Sequence, residues 1–325
     1  MKKRILTSLI TGALLVSTAL SLTACGSQQS QAGATDAAQT SGEKTTVSIA
    51  YLPITHALPV FELKNELEAD NSNLQVELVK YGSWPELLEA LNTGKVDAAS
   101  VLVELAMKSK QENNDLKLAA LGHRDGNVIV ANDTIQSVKD LKGKTFAIPH
   151  RQSSHNILMN LALQEAGLTA EDLNVVELAP TEMPSALTSG QIDAYCVAEP
   201  FGAKGVSLGK GHVLKTSEEL WKDSLCCGLV LNGSFIEKNG ETAKTLVKSY
   251  EAAGDHLDKT TAFDVAKQYL GQDDDILKTS LQWISYNDLA IEQKVYDSLT
   301  KKMVEFKLTD NPPTYEDFVY QPEEA

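Results

Sequence analysis

The residues best suited to chemistry crowd into one run, Lys142 to Gly167, KGKTFAIPHRQSSHNILMNLALQEAG. It reads as a short buried strand over Thr145–Ile148, a polar turn holding His150, Arg151, Gln152 and His155, and then a helix. Ser153 or Ser154 is suited to the N-cap, because its hydroxyl oxygen can accept a free N–H of the first turn. Ile157, Leu158, Leu161 and Ala162 repeat at helical spacing, and Gly167 stands where a C-terminal stop belongs. A strand feeding a helix places the helix's unpaired N–H groups, and its partial positive charge, at the carboxyl edge of a sheet. That end favours anions or polar groups. Arg151 could grip a planar oxyanion through two parallel hydrogen bonds. Its competing use is a salt bridge to a surface carboxylate.

His56, His123, His150 and His155 are four of the six histidines, and all fall in candidate loops. A metal site is conceivable, but no i, i+4 helical pair or carboxylate-spaced motif supports one. Packed or hydrogen-bonding histidines are therefore expected, with no metal and no cofactor. Cys196, Cys226 and Cys227 lack Cys-x-x-Cys spacing, and neighbouring cysteines are poorly placed to bond each other. Buried free thiols are expected, with a bridge from Cys196 to one of the pair left open. Trp84, just before Pro85, could stack on a flat ligand or cover the core. Glu199-Pro200-Phe201 suits a helix start, with Glu199 able to receive an amine. His123-Arg124-Asp125 matches a kinase catalytic loop by three letters only, and Asp273–Asp275 lacks EF-hand spacing.

A length of 325 residues with 42% hydrophobic content suffices for about two domains. Lys2, Lys3 and Arg4 precede an apolar run from Ile5 to Leu22, followed by Leu22-Thr23-Ala24-Cys25. This is the order of a secretory signal, residues 1–24, and resembles the bacterial lipobox with Cys25 lipidated. Residues 25–44 then read as a flexible tether. Cleavage before Cys25 would remove three basic and no acidic residues, taking the formal net charge from −15 to −18. That excess argues against nucleic acid, whose phosphates need a basic face. The expected location is the extracytoplasmic face of the cell membrane, held by the lipid.

From Thr45 onward strands and helices alternate, which predicts parallel sheets with covered faces. Leu91-x-x-Gly94-x-Val96-Asp97-Ala98 recurs as Leu187-x-x-Gly190-x-Ile192-Asp193-Ala194, each copy after a helix begun by proline, Pro85 or Pro184. An internal repeat of this kind predicts an α/β protein of two hinged lobes. The expected boundaries are 45–132 for the first part of lobe one, 133–231 for lobe two, and 232–325 for C-terminal helices returning to lobe one. Two crossover strands would act as the hinge, and the cleft between the lobes is the natural ligand site.

Five stretches carry a resemblance to a known family: IAYLPITHALP, GSWPELLEALNTGKVDAA, GHRDGNVIVAND, DLKGKTFAIPHRQSSHNILMNLALQEAGL and IDAYCVAEPFGAKGV. Together the chain resembles the substrate-binding lipoproteins of ABC importers for nitrate, sulfonates, taurine, bicarbonate and thiamine-pyrimidine precursors, with the type II periplasmic-binding fold. The resemblance implies a site built from strand-to-helix turns. In lobe one these are Pro53, Thr55 and His56, then Trp84, then the turn at Ser100 and Val101; at the crossing, His123 and Arg124. In lobe two they are Arg151, Gln152, Ser153, Ser154 and His155, then Glu182 and Met183, then Glu199 and Phe201. Family members commonly carry glycine and a small hydroxyl residue where this chain has Arg151-Gln152-Ser153-Ser154, so no member's ligand transfers directly. The resemblance further implies a monomer that captures a small anionic or zwitterionic solute and delivers it to a permease and ATPase complex, without catalysis. Alternatives are an aromatic heterocycle as ligand, an enzyme on the same fold using Cys226, Cys227 or the histidines, or a sensor feeding a membrane receptor.

Overall fold

The computed structural model describes residues 44–222 and 224–322. The signal segment, Cys25 and the expected tether before residue 44 lie outside the described residues. Among the described residues no helix is long and apolar enough to cross a membrane.

Lobe one opens with β1 (Thr45–Tyr51), α1 (Leu58–Ala69), β2 (Leu74–Lys80), α2 (Trp84–Asn92), β3 (Ala98–Leu102), α3 (Val103–Gln111) and β4 (Leu116–Leu121). A two-residue strand, β5 (Arg124–Asp125), stands in the crossing. Lobe two follows as β6 (Asn127–Asn132), β7 (Thr145–Ile148), α4 (Ser154–Glu165), β8 (Asn174–Glu177), α5 (Met183–Thr188), β9 (Ala194–Ala198), α6 (Phe201–Ser207), β10 (Gly211–Thr216) and α7 (Ser217–Leu220). The chain returns through β11 (Cys227–Asn232) into α8 (Gly233–Lys238), α9 (Gly240–His256), α10 (Lys259–Leu270), α11 (Asp274–Ser280), β12 (Ile284–Ser285), α12 (Gln293–Glu305) and α13 (Tyr315–Phe318).

Two five-stranded sheets result, ordered β2-β1-β3-β11-β4 and β8-β7-β9-β6-β10. They correspond strand for strand, as the internal repeat predicts. They are not purely parallel, however. β11 runs antiparallel to β3 and β4, and β6 runs antiparallel to β9 and β10. The reason is topological: each crossing delivers a strand that enters its sheet from the hinge side, against the direction of the βαβ units. Strands β3, β9 and β11 are buried along their whole length. They read AASVL, AYCVA and CGLVLN, without alternation, because layers cover both faces. The sheets change between Leu121 and Asn127, and again before Cys227. Both points precede the expected boundaries, since NVIVAN and CGLVLN already belong to the sheets they lead into.

The repeated Gly and Asp are architectural. Gly94 and Gly190 take positive φ, 68° and 75°, where a side chain would be strained. Asp97 Oδ2 accepts from the Ser48 N–H at 2.8 Å and the Ser48 hydroxyl at 2.7 Å, pinning β1 to β3. Asp193 Oδ2 accepts from the Thr145 N–H at 2.9 Å, pinning β7 to β9. The C-terminal helices pack mainly on lobe one, with α9 and α10 against α1 and α13 against β4, while α11 reaches α6 of lobe two. The tail contains α13, and Tyr320 N–H donates to Leu118 O at 2.8 Å along the outer edge of β4. Asp97→Ala and Asp193→Ala should each cost about 1–3 kcal/mol by leaving a strand N–H without its acceptor. The two losses should add, because the sites lie in different sheets; chemical denaturation of the single and double variants measures both.

Candidate functional site

The site grows from the two crossings, which lie side by side. Gly122 N–H donates to Cys227 O at 2.8 Å, and Cys227 N–H donates to His123 Nε2 at 3.3 Å. A Cβ on residue 122 would stand 3.0 Å from both Cys227 O and His56 O, so this close approach requires glycine. His56, in the turn between β1 and α1, stacks its ring on His123, with centroids 3.4 Å apart and planes 26° from parallel. Its Nε2 lies 3.2 Å from Gly126 O. Donation to that carbonyl fixes the tautomer and leaves Nδ1 with a lone pair and no partner. Cys226 Sγ and Cys227 Sγ are 3.8 Å apart. One ligand atom from each of His56, His123, Cys226 and Cys227 lies within 4.8 Å of all the others, and all four residues are buried. The three described cysteines are free thiols, as expected from their spacing.

Further polar groups surround this cluster in the dry interior. His155, at the start of α4, is fully buried with neither ring nitrogen hydrogen-bonded. Glu104, in the first turn of α3, is also fully buried, and neither carboxyl oxygen has a hydrogen-bond partner. Burial holds its carboxyl well above the usual carboxylate range, and the nearby Cys226 charge adds to that. Burial lowers His123 and His155 to about 4, so both imidazoles are neutral at neutral pH. The thiol pair is split. Burial opposes ionisation of Cys226, but the Cys227 thiol and the surrounding imidazoles outweigh it and bring Cys226 down. Burial and the Cys226 charge push Cys227 up. One thiolate is thereby favoured over two, as expected for like charges in contact.

Of the expected site residues, Thr55 joins the lobes. Its N–H and hydroxyl both donate to Glu199 O, at 2.8 and 3.0 Å. Glu199 Oε2 accepts from Ala203 N–H and the Ser280 hydroxyl, while Oε1 is unpartnered, and burial raises its carboxyl to about 7. Ser153 caps α4, and Ser154 is buried with a hydroxyl that makes no hydrogen bond. Gln152 Nε2 donates across to Leu308 O. The two arginines are used elsewhere. Arg124 donates to Asp288 O at 2.8 Å, and the exposed Arg151 donates to Val175 O at 2.9 Å. Arg151 turns outward because β8, next to β7, offers it that free carbonyl. Trp84 packs in the core of lobe one, 2% exposed, with its indole N–H unpartnered. Pro53 and Phe201 line a groove of about 450 Å³ together with Lys80 and Thr181. Met183 is buried and Glu182 exposed at the start of α5.

Ser100 and Val101 form no turn; they sit inside β3, paired with Leu229 and Gly228 of β11. The turn comes at Leu102, which makes Glu104 the residue facing inward. Sequence reasoning missed Glu104, although a carboxylate in the first turn of VELAMKSK was a readable signal. It also set the histidines and cysteines apart, because it tested spacing along the chain and not proximity in space.

Residues 40–271 match the model of the NMT1-like family. The chain belongs to that family. A ligand-binding component of an ABC-type import system from Staphylococcus aureus, solved with zinc bound, is 37% identical to this NMT1-like chain at a TM-score of 0.82, covering 85% of this chain and 97% of its own. The periplasmic aliphatic sulphonate binding protein SsuA from Escherichia coli shares the fold at 20% identity and a TM-score of 0.70, over 86% of this chain and 93% of its own. Among curated relatives, the nitrate import ATP-binding protein NrtC of Synechocystis is 24% identical across 81% of this chain. The putative aliphatic sulfonates-binding protein of Escherichia coli is 26% identical across 58% of it. This NMT1-like chain spans 42% and 59% of the lengths of those two relatives.

Two outcomes follow from the geometry. Gly122→Ala should destabilise by about 1–3 kcal/mol, since the atoms it meets are backbone oxygens that cannot rotate away; thermal melting reads this. Glu199 rises from 4.5 to about 7 on folding, so its stabilising share is complete below 4.5 and lost as pH climbs through about 7. Glu199→Gln cannot ionise, and its melting temperature relative to the parent should increase with pH across that window. The gain amounts to about 1.4 kcal/mol per unit of displaced pKa at most. A difference independent of pH would show that the carboxyl does not titrate there.

Proposed function

We propose that the chain is the solute-capturing subunit of an ABC importer, anchored by a lipid on Cys25 at the outer face of the cell membrane and handing its cargo to a permease and ATPase complex. The observation that carries this reading is the buried polar centre where β1–α1, both crossings and the N-terminus of α4 meet. Groups from both lobes converge there, so a solute bound between the lobes gains its full set of contacts only when they close. Hinge motion about the paired crossings then converts occupancy into a shape that a permease can read. Relatives that are binding proteins for nitrate or sulfonates support an importer role and binding without bond-making. They also support small anions as the first candidate solutes. The α4 N-terminus, with the unpartnered Ser154 hydroxyl, suits an anion, and the engaged Arg124 and Arg151 leave that helix end as its main support. The zinc-bound Staphylococcus relative adds metal ions to the candidates.

Thermal-shift screening of nitrate, bicarbonate, alkanesulfonates, taurine, pyrimidines and divalent metals tests the proposal. A true cargo should stabilise by about 2.7 kcal/mol at a hundredfold excess over its Kd. It should also reduce the radius of gyration in small-angle scattering. Absence of any shift across the panel would remove this set of solutes, and a shift without compaction would remove capture by closure.

A further inference from the structure

We propose that His56, His123, Cys226 and Cys227 form a tetrahedral site for a soft or borderline transition-metal ion of the zinc class, and that His155 of the opposite lobe closes over it. This deepens the solute-capture reading, on which its role as cargo site rests. The metal site itself stands on the four side chains, with His123 giving up the 3.3 Å hydrogen bond that its Nε2 accepts from Cys227 N–H in exchange for the metal.

Three observations point the same way. First, the spacing fits. Thiolates bound at ~2.3 Å to a tetrahedral zinc stand ~3.8 Å apart, and Cys226 Sγ and Cys227 Sγ stand 3.8 Å apart. Neighbouring cysteines in a straight strand would point to opposite faces. Cys226 precedes β11 and Cys227 begins it, and that junction turns both sulfurs to one side. Second, the imidazole of His56 is arranged as a ligand. Its Nε2 is held by Gly126 O, while Nδ1 is buried without a partner. A backbone carbonyl on the far nitrogen is the usual outer support of a metal-bound histidine. Third, His155 is wholly buried with both nitrogens unpartnered, and so is the Glu104 carboxyl. Unpartnered lone pairs in a dry interior are costly unless something electropositive satisfies them.

Charge also balances. A divalent ion holds both sulfurs as thiolates, the remaining thiol proton passing to solvent, and two thiolates with two neutral imidazoles bring the complex to zero. A neutral complex is tolerated in a dry site where a bare thiolate pair is not. Sulfur and imidazole donors select zinc-class ions over magnesium or calcium, which prefer an all-oxygen shell. The four proposed ligands come from lobe one and the crossings, and lobe two contributes His155 from the start of α4. Metal can therefore dock in the open form and recruit His155 as the lobes close.

Cobalt(II) titration of the purified, reduced, metal-free full chain tests the site. One equivalent should produce a sulfur-to-cobalt charge-transfer band and the intense visible bands of tetrahedral cobalt, with thiol protons released to solvent. Zinc should displace it and magnesium should not. Cys226→Ser and Cys227→Ser should each weaken the charge-transfer band and lower zinc affinity by more than the roughly 10–100-fold that loss of an outer partner costs. Cys196→Ser should leave both unchanged. His155→Ala should keep the cobalt spectrum and lose metal-induced compaction. Absence of the charge-transfer band in the unaltered chain would overturn the site without reliance on any variant, and so would a band that survives Cys226→Ser/Cys227→Ser. Compaction by an organic or inorganic anion without cobalt bands would overturn the metal site while leaving solute capture intact. Cobalt bands without compaction support the site and count against capture by closure.

Discussion

The arrangement depends on two crossings that touch. Where Gly122 hands its N–H to Cys227 O, the outgoing and returning chains lie at backbone contact. Each then enters a sheet antiparallel to its neighbours. This contact fixes the mixed sheets, sets His123 against the Cys226–Cys227 pair, and leaves room for the His56 ring to stack on His123. Only glycine allows it, because a methyl at residue 122 would press on two backbone oxygens at once. The chemistry of the site is thus a by-product of how the chain passes between lobes.

The second organising fact is dryness. Water cannot reach His123, His155, Glu104 or Glu199, and desolvation moves each toward its neutral form. The protein as a whole carries a formal charge of −15, yet its buried histidines His123 and His155 and carboxyls Glu104 and Glu199 are held toward their neutral forms. Screening over about 8 Å separates the two regimes. The outer charge therefore says little about what the centre accepts, and nearby donors and acceptors decide it.

The fold was largely readable from the chain. Thr145–Ile148, the Ser153 cap and the stop at Gly167 stand where local signals placed them, the cap and the stop because each rests on contacts a few residues apart. The repeated Gly–Asp signature foretold paired sheets because each copy ends a helix and opens a strand that its Asp ties to the neighbouring strand. Strand direction was harder to read: β6 and β11 look like any buried strand, and only the crossing decides which way they run. The site was partly legible. His56, His123 and His155 were singled out as candidates, and Glu199 and Thr55 do face the interior. The outward turn of Arg151 was not legible, because its partner, Val175 O, belongs to a strand more than twenty residues away. The His–Cys cluster was invisible to linear spacing, since its members come from three separate parts of the chain. Ser100 and Val101 were placed in a turn because an apolar strand gives no internal sign of where it ends.

The way β11 is threaded bears on biosynthesis. Lobe two is one uninterrupted stretch, with all five of its strands present by Thr216. Lobe one is not, since β11 lies between β3 and β4 in its sheet. Until Asn232 has left the ribosome, those two strands have no common partner, and the edges that β11 will join stay unpaired. The half that is translated first is therefore the half that must finish last, and the nascent chain has to wait on its own second half before its first can become whole.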